Sequence, residues 1–423
     1  MSKKQLVNHL QNLALVLLTL SAFFLLTRLP LFHGRWAAQV QTLLSSRPAG
    51  GEQSSAGLPA FSSVHLVVTG EGKYGRCAQL YLPSDASQLQ QVLPLFQEAL
   101  GSAADAGAAA DKTLRTALEG QGLYLDLTVE LPLAAVAAWL GESTEVDRPV
   151  RSMALTAGEE ETAMLYLRSQ AGDIYRCSTA LPASAVEAVC ALFSPNGGGF
   201  AYETNYAPLS PYTVLPAETA RLPELRAELP AGYSAYNLLT ALDFNAHTLS
   251  RYKETGSGAE VVEESPRSLR ISPDGAVSFR SQGEVSSPLY RVPSAGETPS
   301  QTEALAAAGR LAAALTEGTG ASPLYLSALE KTETGYVVRF RYQAGGVTVL
   351  FPDEGDALTV TMTGAAVTAF SYRCRSYTLL EDAALLLPSD MAQALASLYP
   401  NAELTVGYVD DGSGQLSPRW LAG

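Results

Sequence analysis

The sequence is poor in the residues that most often catalyse reactions or bind metals. Only four histidines and four cysteines occur among its 423 residues. His9 and His33 flank an apolar run near the N-terminus. Of the other two, His65 is predicted to be a structural residue of a strand and His247 an exposed loop residue. The short motifs of serine hydrolases, zinc peptidases and phosphate-binding loops are missing. We therefore expect no catalytic residue, no metal ligand and no cofactor, and a function that depends on binding without turnover.

The cysteines also lack a recognisable motif. Cys77, Cys177, Cys190 and Cys374 include no Cys-x-x-Cys pair, and they are too sparse for the disulfide framework of a small secreted domain. Cys177 and Cys190 are close enough in the sequence to form a disulfide. The simpler prediction is that all four are small buried hydrophobic residues.

Acidic residues are absent before Glu52. All 42 acidic residues therefore follow that point, whereas five of the 28 basic residues precede it, and the whole chain has a net charge of −14. An acidic surface repels phosphate groups. The charge thus argues against a nucleic-acid partner, and solubility is its simplest explanation.

Long hydrophobic runs are limited to one, Leu13–Leu26, and no charge lies between Lys4 and Arg28. About 20 apolar residues in a helix span the hydrocarbon core of a bilayer. We expect residues 1–33 to form a cytoplasmic tail and a single transmembrane anchor, with the C-terminal bulk outside the cytoplasm. A cleaved signal peptide and a buried core helix are the alternatives, although no small-residue cleavage site directly follows the run.

Small side chains within this run predict where a partner helix would pack. Small residues allow membrane helices to approach closely. Ala14, Ser21 and Ala22, with Leu18 on the same side of the helix, are the predicted contacts. The alternative is that these residues have no special role, since most apolar anchors contain some small residues.

The rest of the chain predicts two folded parts. Residues 34–60 lack periodicity and should form a flexible linker. Residues 61–207 alternate strands with short helices, residues 208–232 form a Pro-rich joint, and residues 233–423 contain many short strands with tight turns. Sheet runs interrupted by single helices predict an α+β fold, with two or more extracytoplasmic domains of antiparallel sheets and short packing helices.

Some local features can be predicted residue by residue. Ser84 is the predicted N-cap of a helix, and Pro94 predicts a kink or an early end of that helix. Ser272-Pro-Asp-Gly and Asp410-Asp-Gly-Ser-Gly are predicted hairpin turns, the second without the ligand pattern of a calcium loop. The inward face of the helix is predicted to be Leu89, Val92, Leu93, Phe96 and Leu100.

The second half also resembles a known family. The stretches concerned are Leu238-Leu-Thr-Ala-Leu-Asp-Phe-Asn, Ser268-Leu-Arg-Ile-Ser-Pro-Asp-Gly, Gly335-Tyr-Val-Val-Arg-Phe-Arg-Tyr, Leu358-Thr-Val-Thr-Met and Pro418-Arg-Trp. They are similar to the YycH/YycI family of Gram-positive bacteria. Its members have one N-terminal membrane helix and α+β extracytoplasmic domains, and they regulate the WalK-type sensor histidine kinase that governs cell-wall metabolism. The resemblance covers residues 230–423 best, and residues 60–210 would match the additional N-terminal part of the YycH branch.

The resemblance implies a single-pass membrane protein that modulates such a kinase through transmembrane and extracytoplasmic contacts. Its implied partners are the sensor histidine kinase and a paralogous YycI-like protein. Two other functions stay open. An envelope-assembly or scaffold protein would expose an apolar patch or a sheet edge. A tethered enzyme acting on wall polymers would need two carboxylates at a defined spacing.

Overall fold

The computed structural model describes residues 57–70, 75–146, 148–157, 161–203, 209–216, 221–283, 285–294, 298–352, 355–387, 391–392, 394 and 404–422. These residues belong to one unit that begins at Ser55. The predicted anchor and most of the predicted linker lie outside the described residues. Among the helices that are described, none is both long enough and apolar enough to cross a membrane.

The first half of the chain forms a seven-stranded sheet. Its strands are β1 (Ser63–Thr69), β2 (Cys77–Pro83), β3 (Ala104–Ala109), β4 (Gly122–Pro132), β5 (Pro149–Thr156), β6 (Thr162–Arg168) and β7 (Ile174–Pro182). The spatial order is β2-β1-β4-β5-β6-β7-β3, and every pairing is antiparallel. The predicted antiparallel α+β arrangement is therefore present in this half.

Both faces of this sheet are covered, because its strands have apolar side chains on both sides. The helices are α1 (Ser87–Ser102), α2 (Asp111–Ala117), α3 (Leu133–Trp139) and α4 (Ala183–Cys190). Leu66 of β1 packs in the same core as Phe96 of α1. On the other face, Val67 packs with Leu114 of α2 and with Phe200 of the small hairpin β8 (Gly199–Phe200) and β9 (Val214–Leu215).

Helix α1 confirms the predicted inward face, corrects the predicted N-cap and excludes an early end at Pro94. Its five predicted inward residues are all buried. Its N-cap is Ala86 rather than Ser84, because the chain first makes a turn in which the Ala86 N–H donates to the Pro83 carbonyl at 2.9 Å. Pro94 does not end the helix, which continues to Ser102 with Pro94 exposed to solvent.

The second half forms an eleven-stranded sheet. The strands are β11 (Arg251–Lys253), β12 (Glu260–Glu264), β13 (Arg267–Ile271), β14 (Ala276–Ser281), β15 (Leu324–Lys331), β16 (Gly335–Ala344), β17 (Val347–Leu350), β18 (Leu358–Thr363), β19 (Ala366–Arg373), β21 (Leu404–Val409) and β23 (Arg419–Ala422). Their order is β11-β12-β13-β14-β19-β18-β16-β17-β21-β23, with β15 beside β16. Only the pairing of β17 with β21 is parallel within this sheet. The turn predicted at Ser272-Pro-Asp-Gly joins β13 to β14, and its Gly275 has a φ of 94°.

Helices α5 (Ala235–Ala241) and α6 (Gln301–Thr319) belong to this half. Ser300 caps α6 in a capping box with Glu303, and Gly320 ends it in the left-handed conformation with a φ of 70°. The buried face of α6 shares a core with Val338 and Phe340 of β16. The capping residues explain where this helix begins and ends.

The predicted Pro-rich joint contains a strand, β10 (Arg221–Glu228), with one buried residue, Leu225. It pairs with β20 (Ser376–Leu385) on one side and β22 (Gln415–Leu416) on the other. Leu225 is fully buried there. A strand is possible in this proline-containing segment because Pro223 lies at an irregularity of the β10–β20 pairing where a proline can be accommodated.

The two large sheets share one apolar core, and the segment 57–61 lies between them. The Phe61 ring makes edge-to-face contacts with Trp139 of α3, at a centroid distance of 6.0 Å, and with Phe340 of β16, at 6.1 Å. The Leu326 N–H of β15 donates to the Phe61 carbonyl at 2.7 Å. Residues at the start of the described chain therefore contact both halves of the molecule.

Candidate functional site: a polar cavity between the two sheets

A polar cavity of about 450 Å³ lies between the two large sheets. Small-molecule sites commonly measure about 300–1,000 Å³. The first sheet contributes His65, Tyr81, Thr128 and Arg151 to its walls. The second sheet contributes Tyr325, Ser327, Arg341, Gln343, Thr348 and Thr405. A molecule bound in this cavity would therefore contact both halves of the chain.

Asp126 is buried in contact with two residues of the cavity wall. The register of β1 and β4 places it opposite His65, whose Nδ1 lies 3.6 Å from Asp126 Oδ2. Arg151 Nε donates to Asp126 Oδ1 at 2.7 Å. Burial alone would raise the pKa of Asp126, but the Arg151 guanidinium and the nearby His65 together hold that pKa well below its usual range. The carboxylate is therefore ionised at neutral pH and holds Arg151 in place.

His65 is the most unusual group in the cavity wall. Its residue exposure is only 6%, and neither ring nitrogen has a hydrogen-bond partner within the described part of the chain. The ring instead packs edge-on against Tyr81, with centroids 4.4 Å apart. A buried polar group without a hydrogen bond is destabilising. The imidazole nitrogens are therefore suited to bind an occupant of the cavity.

Two wall residues have strained backbones. Tyr81 has a φ of 46° and Thr128 a φ of 61°, values that non-glycine residues rarely adopt and that cost on the order of 1–3 kcal/mol each. Thr128 lies in a gap of the β4–β5 pairing between Asp126 and Leu131. The Thr128 N–H donates to Asp126 Oδ1 at 2.8 Å, which helps to hold the irregular conformation. Strain of this kind is concentrated at functional sites more often than elsewhere.

Hydrogen bonds connect the two walls. The hydroxyls of Tyr81 and Thr405 lie 2.7 Å apart, and Gln343 Nε2 donates to Ser63 Oγ at 2.5 Å. The side-chain oxygen of Gln343 is buried and has no hydrogen-bond partner among the described residues. Arg341 donates from Nε to Asp356 Oδ1 at 2.9 Å. The cavity thus has fixed walls and retains polar atoms that an occupant can bind.

Comparison with known proteins shows similarity at the level of the fold. No family model matches the chain, and no curated protein matches it in sequence. Among solved structures it is similar to the crystal structure of YycH from Bacillus subtilis, with a TM-score of 0.57 and 10% sequence identity. The match covers 88% of this chain and 95% of that chain.

The fold is YycH-like. Residues 230–423, where the sequence resemblance is clearest, make up less than half of the chain. A match over 88% of the chain therefore includes the first sheet as well as the second. The YycH-like fold is thus supported for both parts of the chain that contribute to the cavity.

The residues predicted to contact a partner helix, Ala14, Leu18, Ser21 and Ala22, lie outside the described residues, so their role stays a prediction. His65 is in a strand, as predicted, but its place in the cavity wall was not foreseen. His247 is exposed, as predicted. The structure therefore changes the interpretation of one histidine only.

The cysteine prediction is confirmed, and one turn prediction is corrected. All four cysteines are free and buried, so Cys177 and Cys190 form no disulfide. Burial raises the pKa of Cys190 to about 12.

The Asp410-Asp-Gly-Ser-Gly turn does not close a hairpin but connects β21 of the large sheet to β22 of the three-stranded sheet. Among the described residues, no group of three or more His, Cys, Asp or Glu side chains is arranged to hold a metal ion.

The sequence contains one local signal for this site, a single charge in an apolar strand. Asp126 is the only charged residue between Leu123 and Val129, in a strand that is otherwise largely apolar. A charge in such a position is rarely buried without a partner. Arg151 has no comparable local signal in the sequence, because its proximity to Asp126 depends on the register of β4 and β5.

Proposed function

We propose that the protein is a membrane-anchored, non-enzymatic accessory protein that modulates a two-component sensor histidine kinase controlling cell-wall metabolism. The observation that supports this proposal is the YycH-like fold over 88% of the chain. The apolar run Leu13–Leu26 adds a second feature expected of a YycH-like protein. The proposed location is the cell membrane, with one span and the C-terminal bulk outside the cytoplasm.

The proposed mechanism has a contact inside the membrane. Ala14, Leu18, Ser21 and Ala22 would form one face of the anchor helix and pack against a helix of the kinase or of a YycI-like partner. Small residues on that face would allow close approach of the two backbones. A change of packing there would be transmitted directly to the kinase's own membrane helices.

The extracytoplasmic contact would use an exposed strand. Among the described residues β20 pairs only with β10, so one of its edges has no strand neighbour there. Leu379 and Leu385 on this strand are 52% and 64% exposed. An open edge with exposed leucines suits the binding of another protein. The same feature would also suit the alternative function of an envelope scaffold that pairs with further copies or partners.

The alternative of a tethered wall-polymer enzyme gains less support from the cavity. Such an enzyme needs two carboxylates that face the substrate. None of the described residues that line the cavity is acidic. The proposal therefore remains one of binding.

Purification of the intact protein from membranes tests the kinase proposal. We expect the purified protein to retain a sensor histidine kinase, and we expect deletion of its gene to change the expression of cell-wall genes. Ala14→Ile and Ala22→Ile should reduce recovery of the kinase, because the larger side chains push the two helices apart. Val16→Ile, on the opposite side of the helix, is the matched control and should not reduce it. Recovery of no kinase, together with unchanged cell-wall gene expression, would contradict the proposal.

A further inference from the structure

The charge of the cavity differs from that of the whole protein. The chain has a net charge of −14, but the described residues that line the cavity include Arg151, Arg341 and His65 and no carboxylate. Asp126 and Asp356 neutralise the two arginines from behind the wall, so any attraction for an anion is local and comes from the guanidinium N–H groups that line the cavity. The composition of the wall therefore favours an anion.

The cationic side chains of the wall are held in position from behind. Asp126 binds Arg151 through Nε, and Asp356 binds Arg341 through Nε. Asp356 is itself held by Ser327, which donates to its Oδ1 at 3.0 Å. Bonding through Nε keeps the Arg341 guanidinium fixed while its terminal nitrogens remain suited to a second acceptor. A planar guanidinium matches a carboxylate with two parallel hydrogen bonds.

Two buried polar groups of the wall lack a hydrogen-bond partner within the described chain, although His65 Nδ1 lies 3.6 Å from Asp126 Oδ2. These are the ring nitrogens of His65 and the side-chain oxygen of Gln343. The histidine is suited to donate to an anion, whereas the Gln343 oxygen can only accept. An occupant that satisfies both must carry a negative group and a hydrogen-bond donor such as a hydroxyl. The hydroxyls of Tyr325 and Thr348 extend the same polar wall.

We infer that this cavity binds a small organic anion that consists of a carboxylate on a hydroxylated body of about the size of a sugar. The carboxylate binds at Arg341 and His65, and the hydroxyls bind at Gln343 and the neighbouring hydroxyl groups of the wall. The volume of about 450 Å³ accommodates a molecule of this size. The inference is independent of the kinase proposal, since it rests on the cavity alone.

The test uses the intact protein in detergent micelles, titrated by calorimetry with glucuronate as the probe. Glucose is the matched probe that has the same ring without the carboxylate, and inorganic phosphate represents an anion without the hydroxylated body. We expect saturable binding of glucuronate and much weaker binding of glucose and of phosphate. Equal binding of glucose and glucuronate would overturn the assignment of an anion. Tighter binding of phosphate would overturn the assignment of a carboxylate on a hydroxylated body.

Variants connect the binding to the cavity. Arg341→Gln should weaken glucuronate binding roughly tenfold or more, which is the effect of losing one hydrogen bond to a charged group. Asp356 keeps Ser327 and Arg339 as neighbours, the latter with its Nε 3.6 Å from Asp356 Oδ2, so the variant is expected to fold.

The matched control is Arg280→Gln, which makes the same change of charge at an exposed arginine of β14, outside the cavity wall. It should leave glucuronate binding unchanged, whereas His65→Gln should weaken it. If Arg280→Gln and Arg341→Gln weakened binding equally, the effect would be one of long-range charge and the proposed site would be wrong. Absence of glucuronate binding to the intact protein would overturn the inference directly.

Discussion

At the residue scale, the cavity depends on a buried cluster that local sequence patterns describe only in part. The period-two alternation of β1 and β4 correctly predicts that these residues form strands. It does not predict that His65 lies opposite Asp126, since a strand register is set by distant packing and turn geometry. The irregular backbones of Tyr81 and Thr128 likewise have no local signal, because neither residue type favours a positive φ.

Asp126→Asn tests the buried cluster. Removing one partner of a buried ion pair typically costs about 3–5 kcal/mol, since the other charge is left uncompensated. We expect a decrease of this order in the free energy of unfolding at pH 7, measured by urea denaturation. Asp382→Asn, at an exposed carboxylate of β20, is the control and should change stability by less than about 0.5 kcal/mol.

The acid dependence of stability gives a second measurement of the same cluster. The pKa of Asp126 in the folded protein is depressed below its ordinary value of 3.8. The stability that it contributes is thus complete at neutral pH and is lost as the pH falls below about 4 towards the depressed pKa of the folded protein. Asp126→Asn should therefore show a shallower loss of stability in acid than the unsubstituted protein. An unchanged acid slope would show that Asp126 is not the group responsible.

At the element scale, the pattern of strands and helices is largely predictable from the sequence, and strand β10 is the element with the weakest local signal. Its prolines correctly argue against a helix. They do not exclude a short strand when the proline lies at an irregularity, as Pro223 does. Both strands that pair with β10, β20 and β22, follow it by more than 140 residues in the sequence. No local window of the sequence contains that information.

Leu225→Ala tests whether β10 is anchored in the core by its one buried residue. Leu225 is fully buried, and truncation of such a leucine usually costs about 2–5 kcal/mol. We expect this loss in the free energy of unfolding of the intact protein. Leu385→Ala, at a leucine that is 64% exposed on the neighbouring strand, should cost far less. Equal effects of the two substitutions would argue against such an anchor.

At the scale of the whole molecule, the two large sheets are joined through Phe61 and α6. An added Cβ at Gly309 of α6 would lie 2.4 Å from Phe61 Cε1, which is closer than a real contact allows. Glycine inside a helix normally costs about 1 kcal/mol relative to alanine. Its presence at this position is explained by the close approach of the Phe61 ring. The sequence predicts the helix, but the tertiary contact decides which residue it can contain there.

Gly309→Ala should therefore destabilise the protein by about 1–3 kcal/mol through overpacking, although alanine is the better helix former. Thermal or urea unfolding of the intact protein measures this change. Ala306→Gly, at an exposed position of the same helix, should cost about 1 kcal/mol from propensity alone. Adding Phe61→Leu to Gly309→Ala should recover part of the loss. Stabilisation by Gly309→Ala would show that Phe61 does not pack on this face.

The position of segment 57–61 has a mechanical consequence. If residues 13–26 are held in a membrane, a force on them is transmitted through this segment to the contact between the two sheets. The Phe61 carbonyl accepts a hydrogen bond from the Leu326 N–H. Two residues further, Ser63 Oγ accepts one from Gln343 Nε2 in the cavity wall. Such a force would change the distance between the two walls of the cavity. A molecule bound to both walls would oppose that change.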